Sequence, residues 1–179
     1  MHAISPRRVL ILGRPGAGKT TLARQIAERL DLPGIHLDDW RRGRTGRVPR
    51  ERLSARAEST ASTRSWVAEG IFVTWTTPLM EAADLIVLLD LPRTVLAYRI
   101  WRRRLTDAQQ RRDHSFLATV RFTWGSVRGH TLEEIFRAEA NLPPSSRALR
   151  QVLMPHADRV VVILQRAALH ELLAALCVT

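Results

Sequence analysis

The stretch Gly13-Arg14-Pro15-Gly16-Ala17-Gly18-Lys19-Thr20 limits what this chain can fold into more than any other. It follows Val9-Leu10-Ile11-Leu12, a short apolar run suited to a strand buried on both faces of a parallel sheet. After it, residues 20–30 place Leu22, Ala23, Ile26, Ala27 and Leu30 at helical spacing. The order is strand, glycine turn, helix, with the spacing Gly-x4-Gly-Lys-Thr. Gly13, Gly16 and Gly18 tolerate positive φ and carry no side chain, so successive backbone N–H groups can converge on one anion. The helix adds its own unpaired N–H groups and the positive end of its dipole. Lys19 is a compact ammonium that reaches β- and γ-phosphates, and Thr20 offers a hydroxyl to Mg²⁺. Pro15, Ala17 and Thr21 complete the loop's surface. These residues predict a site for a nucleoside triphosphate with Mg²⁺.

Composition narrows the class. The chain has 179 residues, 45% of them hydrophobic, enough for a sizeable core, and is read as one domain over 1–179. A single cysteine, Cys177, excludes a disulfide framework and a cysteine-rich zinc site. The apolar run after Arg7-Arg8 is too short for a signal peptide, and no run approaches the roughly 18 residues of a membrane span. The expectation is a cytoplasmic protein with no membrane partner. The net charge is +11, and Lys19 is the only lysine; the other 27 basic residues are arginines. They are spread along the whole length, as a GC-rich coding sequence would leave them, so nucleic acid is a possible partner but not the favoured one. Where arginine serves everywhere else, the one lysine marks a place where arginine does not fit.

Short strands alternate with helices along the chain. Strands are expected at 9–12, 34–37, 66–70, 85–89 and 160–164, and helices at 20–30, about 50–64, from 93 onward, and 167–176. Residues 41–49 read as a mobile loop, and 106–145 as two or three helices broken near Gly125, Gly129 and Pro143-Pro144. Such a pattern predicts an α/β fold of three layers, α/β/α, around a five-stranded parallel sheet of order 2-3-1-4-5, with sites at the carboxyl ends of the strands.

The variant Gly-x-Pro-Gly-Ala-Gly-Lys-Thr resembles adenylate kinase and related P-loop small-molecule and nucleotide kinases. After the fourth strand, Asp90-Leu91-Pro92 is followed by Arg99 and, one turn later, Arg103, as in adenylate kinases. That resemblance implies that Arg99 and Arg103 bind the nucleotide, with 99–145 forming a short helical lid. Further pieces are similar to the bacterial DNA topology modulation (FlaR-like) group: Leu22-Ala23-Arg24-Gln25, His36-Leu37-Asp38, Trp66-Val67-Ala68-Glu69-Gly70, the run from Ala83 to Pro92, and Tyr98-Arg99 with Arg102-Arg103-Arg104. Two departures touch the acceptor side. Those relatives carry Asp-Gly-Asn-Tyr where this chain has Glu69-Gly70-Ile71-Phe72, and a lysine near Asp39-Trp40.

Phosphoryl transfer asks for positioning and charge neutralisation, which gives the remaining acids and arginines their expected roles. Lys19, Asp38, Glu69 and Arg103 form the expected catalytic set. Thr20 and Glu69 are the expected magnesium holders, Glu69 in part through water; otherwise Glu69 is a helix-capping or loop acid. Asp38 either orients and deprotonates an acceptor hydroxyl or, with Asp39, caps the next segment. Asp90, beside Pro92, reads as structural. Arg112 either belongs to the lid or is solvated. Trp40 and Trp75 either stack on a ring or pack in the core. The expected activity is transfer of the γ-phosphate of MgATP to a small, unidentified acceptor. The alternatives are a nucleotide-dependent regulatory NTPase associated with nucleic acid, and a fold that binds ATP structurally.

Overall fold

Alternate residues of the first strand face opposite sides of a sheet, and this decides how the core divides. Strand β1 (Arg8–Gly13) lies at the centre, paired in parallel with β3 (Trp66–Gly70) on one side and β4 (Leu85–Leu89) on the other. Strand β2 (Gly34–His36) pairs with β3, and β5 (Val160–Ile163) with β4, both parallel, giving the order 2-3-1-4-5. Val9 and Ile11 meet α1 (Lys19–Leu30), α5 (Arg93–Gln110) and α8 (Arg166–Ala175) through Leu22, Ile26, Leu96 and Leu172. Leu10 and Leu12 meet α3 (Arg50–Ala61), α4 (Thr77–Ala82), α6 (Leu132–Arg137) and α7 (Ser146–Leu153) through Leu53, Leu79, Ile135 and Leu149. With helices on both faces, every residue of β3 and β4 is buried, which is why those strands are apolar without alternation. The computed structural model describes residues 5–43, 46–110, 123–125, 127–138 and 142–176, and for 42–43, 46–47 and 103–110 the backbone alone.

Several local expectations need correction. The second strand stops at His36 rather than Leu37, and α2 (Leu37–Trp40) follows as one helical turn. Leu37 and Trp40 are both buried, and their i, i+3 spacing puts them on one face of a helix but on opposite faces of a strand. Within the expected loop at 41–49, Arg42–Gly43 and Gly46–Arg47 pair antiparallel as a small hairpin. Helix α3 ends at Ala61, three residues short of the expected end.

Helices α4 and α7 have no counterpart in the sequence reading. The first is only six residues long and carries Pro78 in its opening turn. The second starts just after Pro143-Pro144, where Ser145 Oγ accepts from the Ala148 amide at 3.2 Å. Of the stretch 99–145, positions 111–122, 126 and 139–141 lie outside the described residues, and Arg112 is among them. Among the described residues no helix is long and apolar enough to cross a membrane.

Candidate active site

The carboxyl ends of β1, β2 and β3 converge on the glycine loop, as parallel order requires. Gly16 (φ 79°) and Gly18 (φ 96°) take the left-handed backbone that the loop's turn demands. Gly13 is glycine for another reason, contrary to the expectation of positive φ. It still belongs to β1, and a Cβ there would stand 2.8 Å from the Leu89 carbonyl oxygen on β4. At Gly16 a Cβ would come within 3.0 Å of Ile100, so α5 is seated against the loop.

Lys19 opens α1 and is buried, its Nζ donating to the Arg14 carbonyl at 3.4 Å. Burial pushes its ammonium below the ordinary lysine value, against the attraction of Glu69 and then Asp38. Thr20 Oγ1 donates to Glu69 Oε1 at 2.8 Å, and His36 Nδ1 lies 3.0 Å from the same oxygen. Glu69 is 4% exposed, and its other oxygen, Oε2, is buried with no hydrogen-bond partner. Glu69 is therefore no exposed loop acid; it faces the threonine expected to share a metal with it. Asp38 lies on α2, half exposed, 3.8 Å from Arg41 Nη1, whose guanidinium stacks 4.9 Å over the Phe72 ring. From α5, Arg99 Nη1 donates to the carbonyls of Ala17 (3.2 Å) and Gly16 (3.4 Å).

Lys19, Thr20, Glu69, Asp38, Arg41 and Arg99 line a cleft of about 930 Å³. Pro15 to Thr21 form its floor, Asp38, Arg41 and Phe72 one end, and Gln165, Arg166 and Leu169 the other. The cleft thus runs across the loop from the β2 side of the sheet to the β5 side. The set at the floor can hold a polyphosphate, and the acid at one end can meet a hydroxyl.

Other candidates sit elsewhere. Trp40 and Trp75 are buried with ring centroids 5.9 Å apart, and Phe72 stacks on Trp75 at 5.0 Å; these tryptophans pack the core. Asp90 accepts from Arg150 Nε (2.9 Å) and Nη2 (2.8 Å), with Arg14 at 3.7 Å, an ion-pair role, while its neighbours Leu89 and Leu91 line the cleft. Arg103 lies in α5, and its side chain is outside the described residues. Sequence reasoning passed over His36, Arg41 and Arg14. Arg14 occupies a variable motif position, yet its guanidinium is buried, donating to the carbonyls of Leu91 (3.0 Å) and Val127 (2.9 Å). Burial lowers its pKa, Asp90 raises it and Arg93 lowers it.

The family described as an AAA domain matches residues 9–71, from β1 through the loop, α1, β2, α2 and α3 to β3. No curated protein matches the sequence. A gluconokinase from Sinorhizobium meliloti 1021 superposes with a TM-score of 0.51 at 19% identity, over 96% of this chain and 91% of its own. The fold is that of a P-loop kinase. A shikimate kinase from Acinetobacter baumannii, in complex with shikimate, is also similar, with a TM-score of 0.49 and 18% identity over 94% of this chain and 89% of its own. Another from Bacteroides thetaiotaomicron gives 0.48 and 17% over 94% and 95%.

Proposed function

We propose that this chain is an ATP-dependent phosphotransferase that moves the γ-phosphate of MgATP to a small hydroxyl-bearing acceptor. The observation that carries the reading is the pairing of Thr20 with Glu69 beside the only lysine, in a cleft of about 930 Å³. In this reading one domain spans 1–179 with 99–145 as its lid, in the cytoplasm, and the chain is kin to the DNA topology modulation (FlaR-like) group. The activity named for the similar gluconokinase agrees with a small-molecule acceptor.

The donor set fits magnesium: a hydroxyl and a buried carboxylate oxygen without a protein partner are hard oxygen ligands. Bound Mg²⁺ would neutralise charge on the phosphates. The loop amides and Lys19 hold the β- and γ-phosphates, and burial makes that ammonium a stronger electrostatic partner than it would be in water. Arg99, fastened to the loop carbonyls, and Arg103 add charge on the nucleotide side. Asp38 orients the acceptor hydroxyl and takes its proton. Arg41, beside it, supplies a cation for whatever negative charge the acceptor carries.

A screen of small hydroxylated acceptors with γ-labelled ATP tests the reading. At least one acceptor gains label well above background hydrolysis, and Lys19→Ala lowers that transfer by about 10²–10³-fold, the usual cost of removing a charge-stabilising donor. Hydrolysis with no labelled acceptor would end the kinase reading.

A further inference from the structure

His36 closes β2, and the pairing of β2 with β3 sets it directly across from Glu69. Residues paired in register on neighbouring parallel strands project to the same face, so the backbone alone brings imidazole and carboxylate side by side. His36 Nδ1 lies 3.0 Å from Glu69 Oε1, the oxygen that also accepts from Thr20. Two donors thus occupy one carboxylate oxygen, while Oε2 stays buried and without a partner. A buried carboxylate oxygen left unmatched is costly unless something absent from the chain completes it. The imidazole itself is 46% exposed, so packing in the core does not account for its place.

We propose that His36 is a positioning residue for the metal site. By donating Nδ1–H to Oε1, it fixes the carboxylate's rotation and reserves Oε2 for magnesium or a magnesium-bound water. The carboxylate also fixes the imidazole's tautomer, as in carboxylate–histidine pairs behind other metal sites. The inference rests on reading the cleft as a MgATP site, and adds a residue for which no role follows from the P-loop motif.

Calorimetric titration of ATP into the full-length chain, with and without Mg²⁺, reads the effect without turnover. Asn and Leu are alike in size and differ in the donor, so His36→Leu and His36→Asn form the informative pair. In His36→Leu the tightening of ATP binding by Mg²⁺ falls about tenfold, the scale expected for an outer partner of a metal ligand, while Mg²⁺-free affinity is unchanged. His36→Asn, whose amide nitrogen can take the place of Nδ1, restores the tightening. A wild-type magnesium effect in His36→Leu overturns the proposal. Equal loss in both variants, or failure of both to fold, overturns it as well, since the histidine is then structural. If the unmodified chain binds no MgATP, the reading of the cleft itself falls, a result distinct from either.

Discussion

Asp84, just before β4, shows how much a single carboxylate can organise. Arg8 Nη2 reaches Oδ1 at 2.9 Å, and the amides of Arg7 and Arg8 donate to Oδ2 at 3.0 and 2.9 Å. Partial burial raises its pKa, but the Arg8 side chain, the two amides and the Arg8 charge together lower it below the ordinary aspartate value. A depressed folded value means the carboxylate stabilises the fold above the unfolded pKa of about 3.9, and that this contribution is lost as pH falls through the folded value. Thermal melts from pH 7 down to pH 2.5 check this: Asp84→Asn melts below wild type at neutral pH, and the gap closes in acid. At the same scale Lys19 and Thr20 were legible from motif spacing, and Glu69 from its place at a strand end. His36 was not, because its meaning comes from the residue opposite it in another strand, 33 positions along the chain.

At the scale of elements, the loop and α5 form one mechanical unit. Gly16 faces Ile100 and the Leu96 carbonyl, and Arg99 grips the loop from the next turn of that helix. An alanine at position 16 meets both a left-handed backbone, worth about 1–2 kcal/mol, and a neighbour too close to yield freely. Gly16→Ala therefore lowers both melting temperature and MgATP affinity. Ser145→Ala, at the cap of α7, costs about 1 kcal/mol of stability and leaves MgATP affinity unchanged, because its hydroxyl serves the Ala148 amide and Ser145 is not among the residues that line the cleft. Denaturation and calorimetry on the two variants separate these outcomes. The long elements β1, α1, β3, β4 and α5 follow from unbroken apolar or helical patterning. Short α2 and α4 offer too few turns for a period to register, and the hairpin at Arg42–Gly43 and Gly46–Arg47 has almost no side-chain signal.

For the whole molecule, a ligand that binds only the folded state raises stability by mass action. MgATP at about a hundred times its dissociation constant adds about 2.7 kcal/mol, or about 5–10 °C in melting temperature for a chain of this size. Differential scanning of wild type with and without MgATP measures the shift, which is absent in Lys19→Ala. The charge of +11 acts in part inward. Arg14, Arg50, Arg99, Arg150 and Arg159 each donate to a carbonyl or carboxylate of the chain itself. An arginine count is thus a poor measure of a nucleic-acid surface.

The local pattern by itself determined that a strand, a glycine turn and a helix would present amides and one ammonium to an anion, since every requirement lies within the consecutive residues 9–30. It also determined a parallel sheet, because buried strands between helices leave an apolar signature. Only the tertiary structure decided that Glu69 meets Thr20 and His36, that Trp40 and Trp75 pack in the core, and that Arg14 ties the loop to the carbonyls of Leu91 and Val127. Those contacts join residues tens of positions apart, and strand register and helix seating, not sequence spacing, bring them within hydrogen-bonding reach.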